Sequence, residues 1–336
     1  MRVTILHSSI DQDANPDELE TMIQVDAVQG ALEKLGCQVS RLGFTLDFFS
    51  VIRQLKDQKP DVVFNLVESV RGRADKIFLA PLLLTRLNLP YTGADANSLL
   101  LSSDKLTAKQ WLNANHLPTP SWIDPDDLHT ASLSSDDLYI IKSVTEDGSL
   151  GIGQDSVVKH RAALIDIVAD RAQRFGGKWF AERFIDGREF NIGLLAGKNG
   201  LEVLSIAELC FVGLPEDCLP IVDYAAKWHV DSDMYHATQR SFEFPQSDDV
   251  LLASLADVSL ACGSAFAVTG YARVDLRVDD KGKIWVLEVN ANPSLAPDAG
   301  FAAAAERSGI GYLQLIRRLL DDALARGGNR EIALAS

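Results

Sequence analysis

The segment from Arg273 to Asn290 carries an arginine, two carboxylates and an amide, all positioned by strand alternation. With Asp279–Gly282 as a hairpin turn, Arg273, Asp275, Val286, Glu288 and Asn290 are predicted to share one face. Asp275 and Glu288 are then diagonal neighbours, roughly 7–8 Å apart at the backbone. Two carboxylates and an amide oxygen suit one or two hard cations, magnesium above all. Magnesium is usually held by few protein oxygens together with substrate phosphates and water, so the pattern implies a polyphosphate. The plainer reading is an exposed strand pair with a salt bridge from Arg273 to Glu288.

Two further clusters offer matching chemistry. Ile140-Ile141-Lys142 followed by Glu146-Asp147-Gly148-Ser149-Leu150-Gly151 places a lysine before a glycine-rich loop, whose N–H groups can meet phosphate oxygens. It is not a Walker A loop, because the lysine precedes the glycines; a surface hairpin is the alternative. In Trp179–Phe190, a strand ending beside an apolar side chain and a carboxylate could hold a purine by its main chain and a ribose by Glu189. An ordinary turn at Asp186-Gly187 is the competing reading.

The elements that must position these groups follow from periodicity. Short β-branched runs alternate with amphipathic segments from Arg2 to Gly93, which predicts an α/β unit with a parallel sheet, its ligand-facing strand ends at His7-Ser8-Ser9 and Val67-Glu68-Ser69. Pro118 and Pro120 punctuate a linker. Strands are expected at Tyr139–Ser143, Trp179–Arg183, Phe190–Ala196 and Leu201–Ile206. Beyond them come a long loop over Glu208–Arg240, a helix at Asp249–Cys262, the strand pair, and a helix at Tyr312–Ala325. The boundaries read as 1–93, 94–185, 186–326 and a frayed tail at 327–336.

Composition narrows the function. The 336 residues suffice for a sizeable core, and 32 Lys+Arg against 47 Asp+Glu give a net charge of -15, which opposes any long nucleic-acid track. No apolar run approaches the ~20 residues of a membrane span, so no membrane partner is expected. Four cysteines without CxxC spacing point to a reducing, cytoplasmic setting.

In register, Tyr91-Thr92-Gly93, Asp104-Lys105-Leu106, Ile141-Lys142, Gly187-Arg188-Glu189-Phe190, Asp223–Lys227, Arg273-Val274-Asp275 and Leu287–Pro293 match one family. The chain resembles an ATP-grasp enzyme of the D-alanine–D-alanine ligase branch from about Val3 to Ala325. The resemblance implies an ATP-grasp fold behind an N-terminal Rossmann-like domain. It implies an ATP- and Mg2+-dependent (Mn2+ tolerated) ligase that joins two amino-acid-like substrates through an acyl-phosphate, and it is compatible with a homodimer. It assigns Lys105, Lys142 and Ser149 to the phosphates, Glu182, Arg183 and Ile185 to adenine, and Glu189 to the ribose. Asp275, Glu288 and Asn290 become metal ligands, Arg273 the stabiliser of the reacting centre, and Lys227 the lysine of a lid.

The sequence departs from the family where amino acids bind. The family's Gly-Gly turn and Ser-x-Glu are replaced by His7-Ser8-Ser9-Ile10 and the acidic stretch Asp11–Glu20, leaving Asp11 and Asp13 as candidates for an ammonium partner. Val67-Glu68 replaces His-Gly. Asp147-Gly148-Ser149 replaces Gly-Ser-Ser and lacks the serine that helps clamp the lid. Trp228 replaces the lid tyrosine, and Pro293-Ser294-Leu295 followed by Asp298-Ala299-Gly300 replaces the segment facing the second D-alanine. His7, Glu68, Trp228 and Ser294 are therefore candidate substrate contacts. An authentic D-alanine–D-alanine ligase and a non-catalytic ATP sensor are the alternatives.

Overall fold

The computed structural model describes residues 1–9, 16–131, 134, 137–229 and 231–334. Its N-terminal unit contains β1 (Arg2–Ser8), α1 (Pro16–Lys34), β2 (Gln38–Phe44), α2 (Phe48–Gln58), β3 (Val62–Leu66) and α3 (Leu79–Arg86). The strands form a parallel sheet in the order β2-β1-β3. Alternation divides its side chains between two cores. Val3, Ile5 and Phe64 pack with Val25, Val28 and Leu32 of α1. Leu6 and Val63 pack with Val51 and Leu55 of α2 and Leu84 of α3. The carboxyl ends of β1 and β3 are joined by Ser8 Oγ, which accepts from Glu68 N and Ser69 N at 3.0 and 2.9 Å.

Helices α4 (Ala96–Ser102) and α5 (Lys105–Ala114) lead into a four-stranded antiparallel sheet, order β4-β7-β5-β6. Its strands are β4 (Trp122–Ile123), β5 (Tyr139–Ser143), β6 (Val157–Val158) and β7 (Trp179–Arg183), and α6 (Arg161–Phe175) packs on it through Leu164. Asp104 caps α5 by accepting from Thr107 N at 2.8 Å, and this fixes Lys105 in the first helical turn.

The chain then enters the largest sheet through Gly187, which has a positive φ of 143° and where any Cβ would collide with the Val278 carbonyl. This sheet comprises β8 (Arg188–Gly197), β9 (Gly200–Val203), β10 (Ala207–Phe211), β11 (Thr238–Ser241), β12 (Tyr271–Val278) and β13 (Ile284–Asn290). Its order is β11-β10-β8-β12-β13, with β9 on β8. Short helices α7 (Tyr224–Trp228) and α8 (Asp233–Ala237) lie between β10 and β11, while α9 (Asp249–Ala265), α10 (Gly300–Arg307) and α11 (Tyr312–Leu334) complete the fold. One face of the sheet packs on α5 and α9 through Phe190, Ile192, Val274, Leu276, Val286 and Val289. The other packs on α10 and α11 through Leu195 and Tyr271 and faces a cleft where it bears Asp275 and Glu288.

Two expectations are corrected. The supposed loop over Glu208–Arg240 contains β10, α7, α8 and β11, because the sheet supplies pairing partners that a single chain segment does not reveal. Helix α11 runs through Gly327 to Leu334, past the expected end at Ala325. Among the described residues no helix is long and apolar enough to cross a membrane.

Candidate active site

The strand pair that opened the sequence argument has a different register from the one expected. Leu276 pairs with Val286, but Asp275 pairs with Glu288 and Arg273 with Asn290, so Leu287 is an extra residue forming a β-bulge. Val286 points into the core. The bulge turns Glu288 to the same face as Asp275, directly across from it rather than diagonal. Asp275 is held by Arg273, whose Nε and Nη2 donate at 2.7 and 2.8 Å, and by Asn191 Nδ2 at 2.8 Å. Burial disfavours the Arg273 guanidinium, but Asp275 outweighs it and holds its pKa above the ordinary value. Glu288 makes no hydrogen bond with the described residues. Asn290 Oδ1 accepts from Asn292 N at 2.8 Å, so its amide is engaged in the turn that follows.

Asp275 and Glu288 line a cleft between the two antiparallel sheets, of ≈ 950 Å³ with its open mouth included. Three lysines converge on it. Lys105 Nζ meets Asp147 Oδ1 at 2.7 Å and the Glu146 carbonyl at 2.8 Å. Burial lowers its pKa, but the charges of Asp147 and Glu288 prevail and raise it. Lys142 Nζ pairs with Glu182 Oε1 at 2.6 Å, and Lys109, absent from the sequence candidates, pairs with Glu182 Oε2 at 2.5 Å. Lys109 also donates to Thr119 Oγ1 and the Pro120 carbonyl. Its i,i+4 spacing from Lys105 on α5 was the available sequence signal. Glu182 is 1% exposed; burial would raise its pKa, but the two ammonium groups win and hold it below the carboxylate range. Its carboxylate thus anchors lysines rather than facing a base.

A segment bearing Lys227 covers this cluster. Ser149, in the left-handed region at φ 61°, donates from Oγ to the Val222 carbonyl at 2.7 Å, and Trp228 Nε1 donates to the Gly148 carbonyl at 2.9 Å. Tyr224 N donates to the Ile152 carbonyl, and Leu219 and Gln154 exchange two hydrogen bonds. The clamp expected to be lost is therefore rebuilt from Ser149 and Trp228. Asp223 caps α7 through Ala226 N and so fixes where Lys227 projects. Lys227 is open to water within the cleft yet ringed by protein, and its pKa is lowered, by desolvation first and then by Arg273.

Ile185 and Glu189 line the far end of the cleft, with Phe184, Ile221 and Val222. Glu189 pairs with Arg277, which the sequence reading missed, at 2.7 Å. Arg183 turns its side chain away, 3.6 Å from Asp137 and over the Trp285 ring at 5.2 Å.

Beyond the residues that line this cleft, Glu68 is half-buried and accepts from Thr21 Oγ1 at 3.0 Å. Burial pushes its carboxyl up to about 7, with the charge of Glu20 adding to the effect. Ser294 Oγ donates to Glu20 Oε1 at 3.0 Å, and burial raises Glu20 as well. Asp11 and Asp13 lie outside the described residues; Glu20, on α1, is the carboxylate found here. Arg240, on β11, lies against Gly300 at the start of α10 and has no hydrogen bond or ion pair among the described residues. His7 is not brought to the cleft: its Nδ1 bonds the Ser8 carbonyl, and desolvation lowers its pKa.

Among the described residues no group of three or more His, Cys, Asp or Glu could hold a metal by itself. Two facing carboxylates, one of them without a hydrogen bond, fit instead a cation that shares its ligands with phosphate.

Comparison with known proteins agrees with this geometry. The family profile described as D-ala D-ala ligase C-terminus matches residues 136–321. The D-alanine–D-alanine ligase of Chromohalobacter salexigens is 33% identical over 267 residues, 78% of this chain and 77% of that one. The uncharacterized protein y4sG of Sinorhizobium fredii is 32% identical over 269 residues, 79% of this chain and 75% of that one. A crystal structure of the D-alanine–D-alanine ligase of Bacillus anthracis complexed with ATP shares the fold, with a TM-score of 0.73 and 19% identity over 98% of this chain and 99% of that one. The chain belongs to the D-alanine–D-alanine ligase family of ATP-grasp enzymes.

Proposed function

We propose that the cleft activates one amino-acid carboxylate with ATP and joins it to the amine of a second amino-acid-like substrate, releasing ADP and phosphate. The observation that carries this reading is the facing pair Asp275 and Glu288 in one cleft with Lys105, Lys142 and Lys227, with Arg273 bonded to Asp275. A carboxylate is a poor electrophile until it becomes a mixed anhydride with phosphate. Both that transfer and the later attack by the amine build negative charge, which fixed cations stabilise. Lys105 from α5 and Lys142 from β5 offer donors to phosphate oxygens, and Lys227 covers them from the lid. Arg273, held in orientation by Asp275, reaches the reacting carbonyl. Asp275, Glu288 and Asn290 would hold a divalent cation, magnesium or manganese, which supplies charge neutralisation at the phosphates.

Charged groups near Lys227 and Arg273 suit amino-acid substrates. Glu20 and Glu68 suit an ammonium group, and Arg240 suits a carboxylate. Because these residues stand outside the family's motifs, the reading places a substrate other than D-alanine in at least one position. The test is phosphate release with ATP and magnesium over pools of D- and L-amino acids. Turnover needing two pool members and falling about 10²–10³-fold in Glu288→Gln is expected. Robust turnover on D-alanine alone would identify an authentic D-alanine–D-alanine ligase. ATP binding without release over any pool would favour a non-catalytic sensor.

A further inference from the structure

Arg277 draws its hydrogen-bond acceptors from three different parts of the fold. Nε and Nη2 both donate to Glu189 Oε2, at 2.9 and 2.7 Å, and Nη1 donates to the Ile185 carbonyl at 2.7 Å. Nη2 also donates to the Pro220 carbonyl. The guanidinium lies over Phe184, 5.0 Å from the ring centroid, and the residue is 3% exposed. Glu189 belongs to β8, Ile185 to the crossing between lobes, and Pro220 to the root of the segment that carries Lys227. Leu219 and Val222, on either side of that root, are tied to Gln154 and Ser149 of the glycine-rich loop.

This arrangement uses one carboxylate oxygen and leaves the other. Glu189 Oε1 accepts no hydrogen bond among the described residues, although the side chain lines the cleft. A buried carboxylate with no cation beside it would be costly. Arg277 holds the Glu189 carboxylate in one orientation, with Oε1 left to accept from a hydroxyl. A charge-assisted bond of that kind is among the stronger single contacts a ligand can make.

We propose that Arg277 is a positioning residue of the nucleotide site, which aims Glu189 Oε1 at a ribose hydroxyl and ties that acceptor, through Pro220, to the root of the lid. The inference rests on the reading of the cleft as an ATP site. Because a guanidinium is planar and rigid, a shift of Pro220 either tilts the plane against Glu189 or breaks one of its bonds. Occupancy at the ribose and closure over the phosphates are thereby coupled.

The test compares equilibrium binding of a non-hydrolysable ATP analogue with that of its 2′,3′-dideoxy counterpart, in the wild type and in Arg277→Lys. Loss of the ribose hydroxyls is expected to weaken wild-type binding about tenfold or more, and Arg277→Lys to shrink that ratio to about twofold. Hydrogen exchange over Leu219–Trp228 should show less nucleotide-induced protection in the variant. A merely structural arginine would weaken both nucleotides alike, so an unchanged ratio in the folded variant overturns the proposal. A wild type that binds neither nucleotide overturns the ATP reading and this inference with it. Wild-type binding that is indifferent to the ribose hydroxyls overturns this inference alone. Arg277→Met leaves Glu189 unpaired and endangers the fold, so its companion is Arg277→Met with Glu189→Gln, which removes both charges. That pair is expected to fold and to show no more than about a twofold ribose penalty.

Discussion

Glu182 shows how a single side chain organises the phosphate end. It is sealed from water and holds Lys109 at 2.5 Å and Lys142 at 2.6 Å. Glu182→Gln would leave two ammonium groups crowded without a counter-ion, and breaking a buried ion pair by removing one partner typically costs about 3–5 kcal/mol. Chemical denaturation should therefore find the variant less stable by about that amount without nucleotide. ATP, which brings new anions to the lysines, should recover more stability in the variant than in wild type; equal recovery in both would mean the lysines do not meet phosphate.

At Glu68 the relevant quantity is a proton. The Glu68 carboxyl is raised from 4.5 to about 7, chiefly by burial. A group whose folded pKa lies above its unfolded value favours the folded state fully below the unfolded pKa, and that contribution is lost as pH rises through the folded one. The stability of wild type relative to Glu68→Gln is expected to fall between about pH 4.5 and 7, by up to about 3 kcal/mol. Thermal unfolding of both proteins across that window checks it, and a constant difference would show that Glu68 is already ionised in the fold at the acid end.

The lid acts as an element. Its contacts with the loop before it combine hydrogen bonds, the Trp228 ring over Gly148 and the packing of Leu219 and Ile221 beside Ile152. Segments that close over bound ligands commonly gate a site. Amide exchange over Leu219–Trp228 should slow when an ATP analogue gives Lys227 its partner. Trp228→Ala, which loses the bond to the Gly148 carbonyl, should speed exchange there about fivefold without nucleotide. Equal protection with and without the analogue would count against a moving lid. The bulge at Leu287 is the second element-scale device. With strict two-residue alternation Glu288 would face the α5 and α9 core, and one inserted residue turns it to the cleft.

Across the whole molecule the ligand-binding surface is shared. The central sheet supplies Lys142 and Glu182, the C-terminal sheet supplies Asp275, Glu288 and Glu189, and α5 brings Lys105. A ligand touching all of them binds the folded chain and has no counterpart in the unfolded one. At a hundred times its dissociation constant, ATP with magnesium should stabilise the protein by about 2.7 kcal/mol. With ATP and excess chelator the thermal shift should be much smaller, since Asp275 and Glu288 then repel the phosphates. Identical shifts in the two conditions would argue against a metal at these carboxylates.

The sequence by itself determined most of the framework, because periodicity and capping are local. The strands and helices of the N-terminal unit taken singly, the Asp104 cap that sets Lys105, and the turn at Asp279–Gly282 all depend on neighbours a few residues apart. The resemblance of its motifs also singled out Lys105, Lys142, Ser149, Asp275 and Glu288, which the structure gathers around one cleft. What only the tertiary structure decided depends on groups far apart in the chain. The bulge at Leu287 is set by pairing across β12. Glu182 is claimed by Lys109 from another element, and Glu189 by a strand neighbour 88 residues away. Glu20 meets Ser294 across 274 residues. No local pattern encodes such meetings, since each depends on how separately formed elements pack, and an ionic partner is chosen by proximity after folding rather than by spacing in the chain.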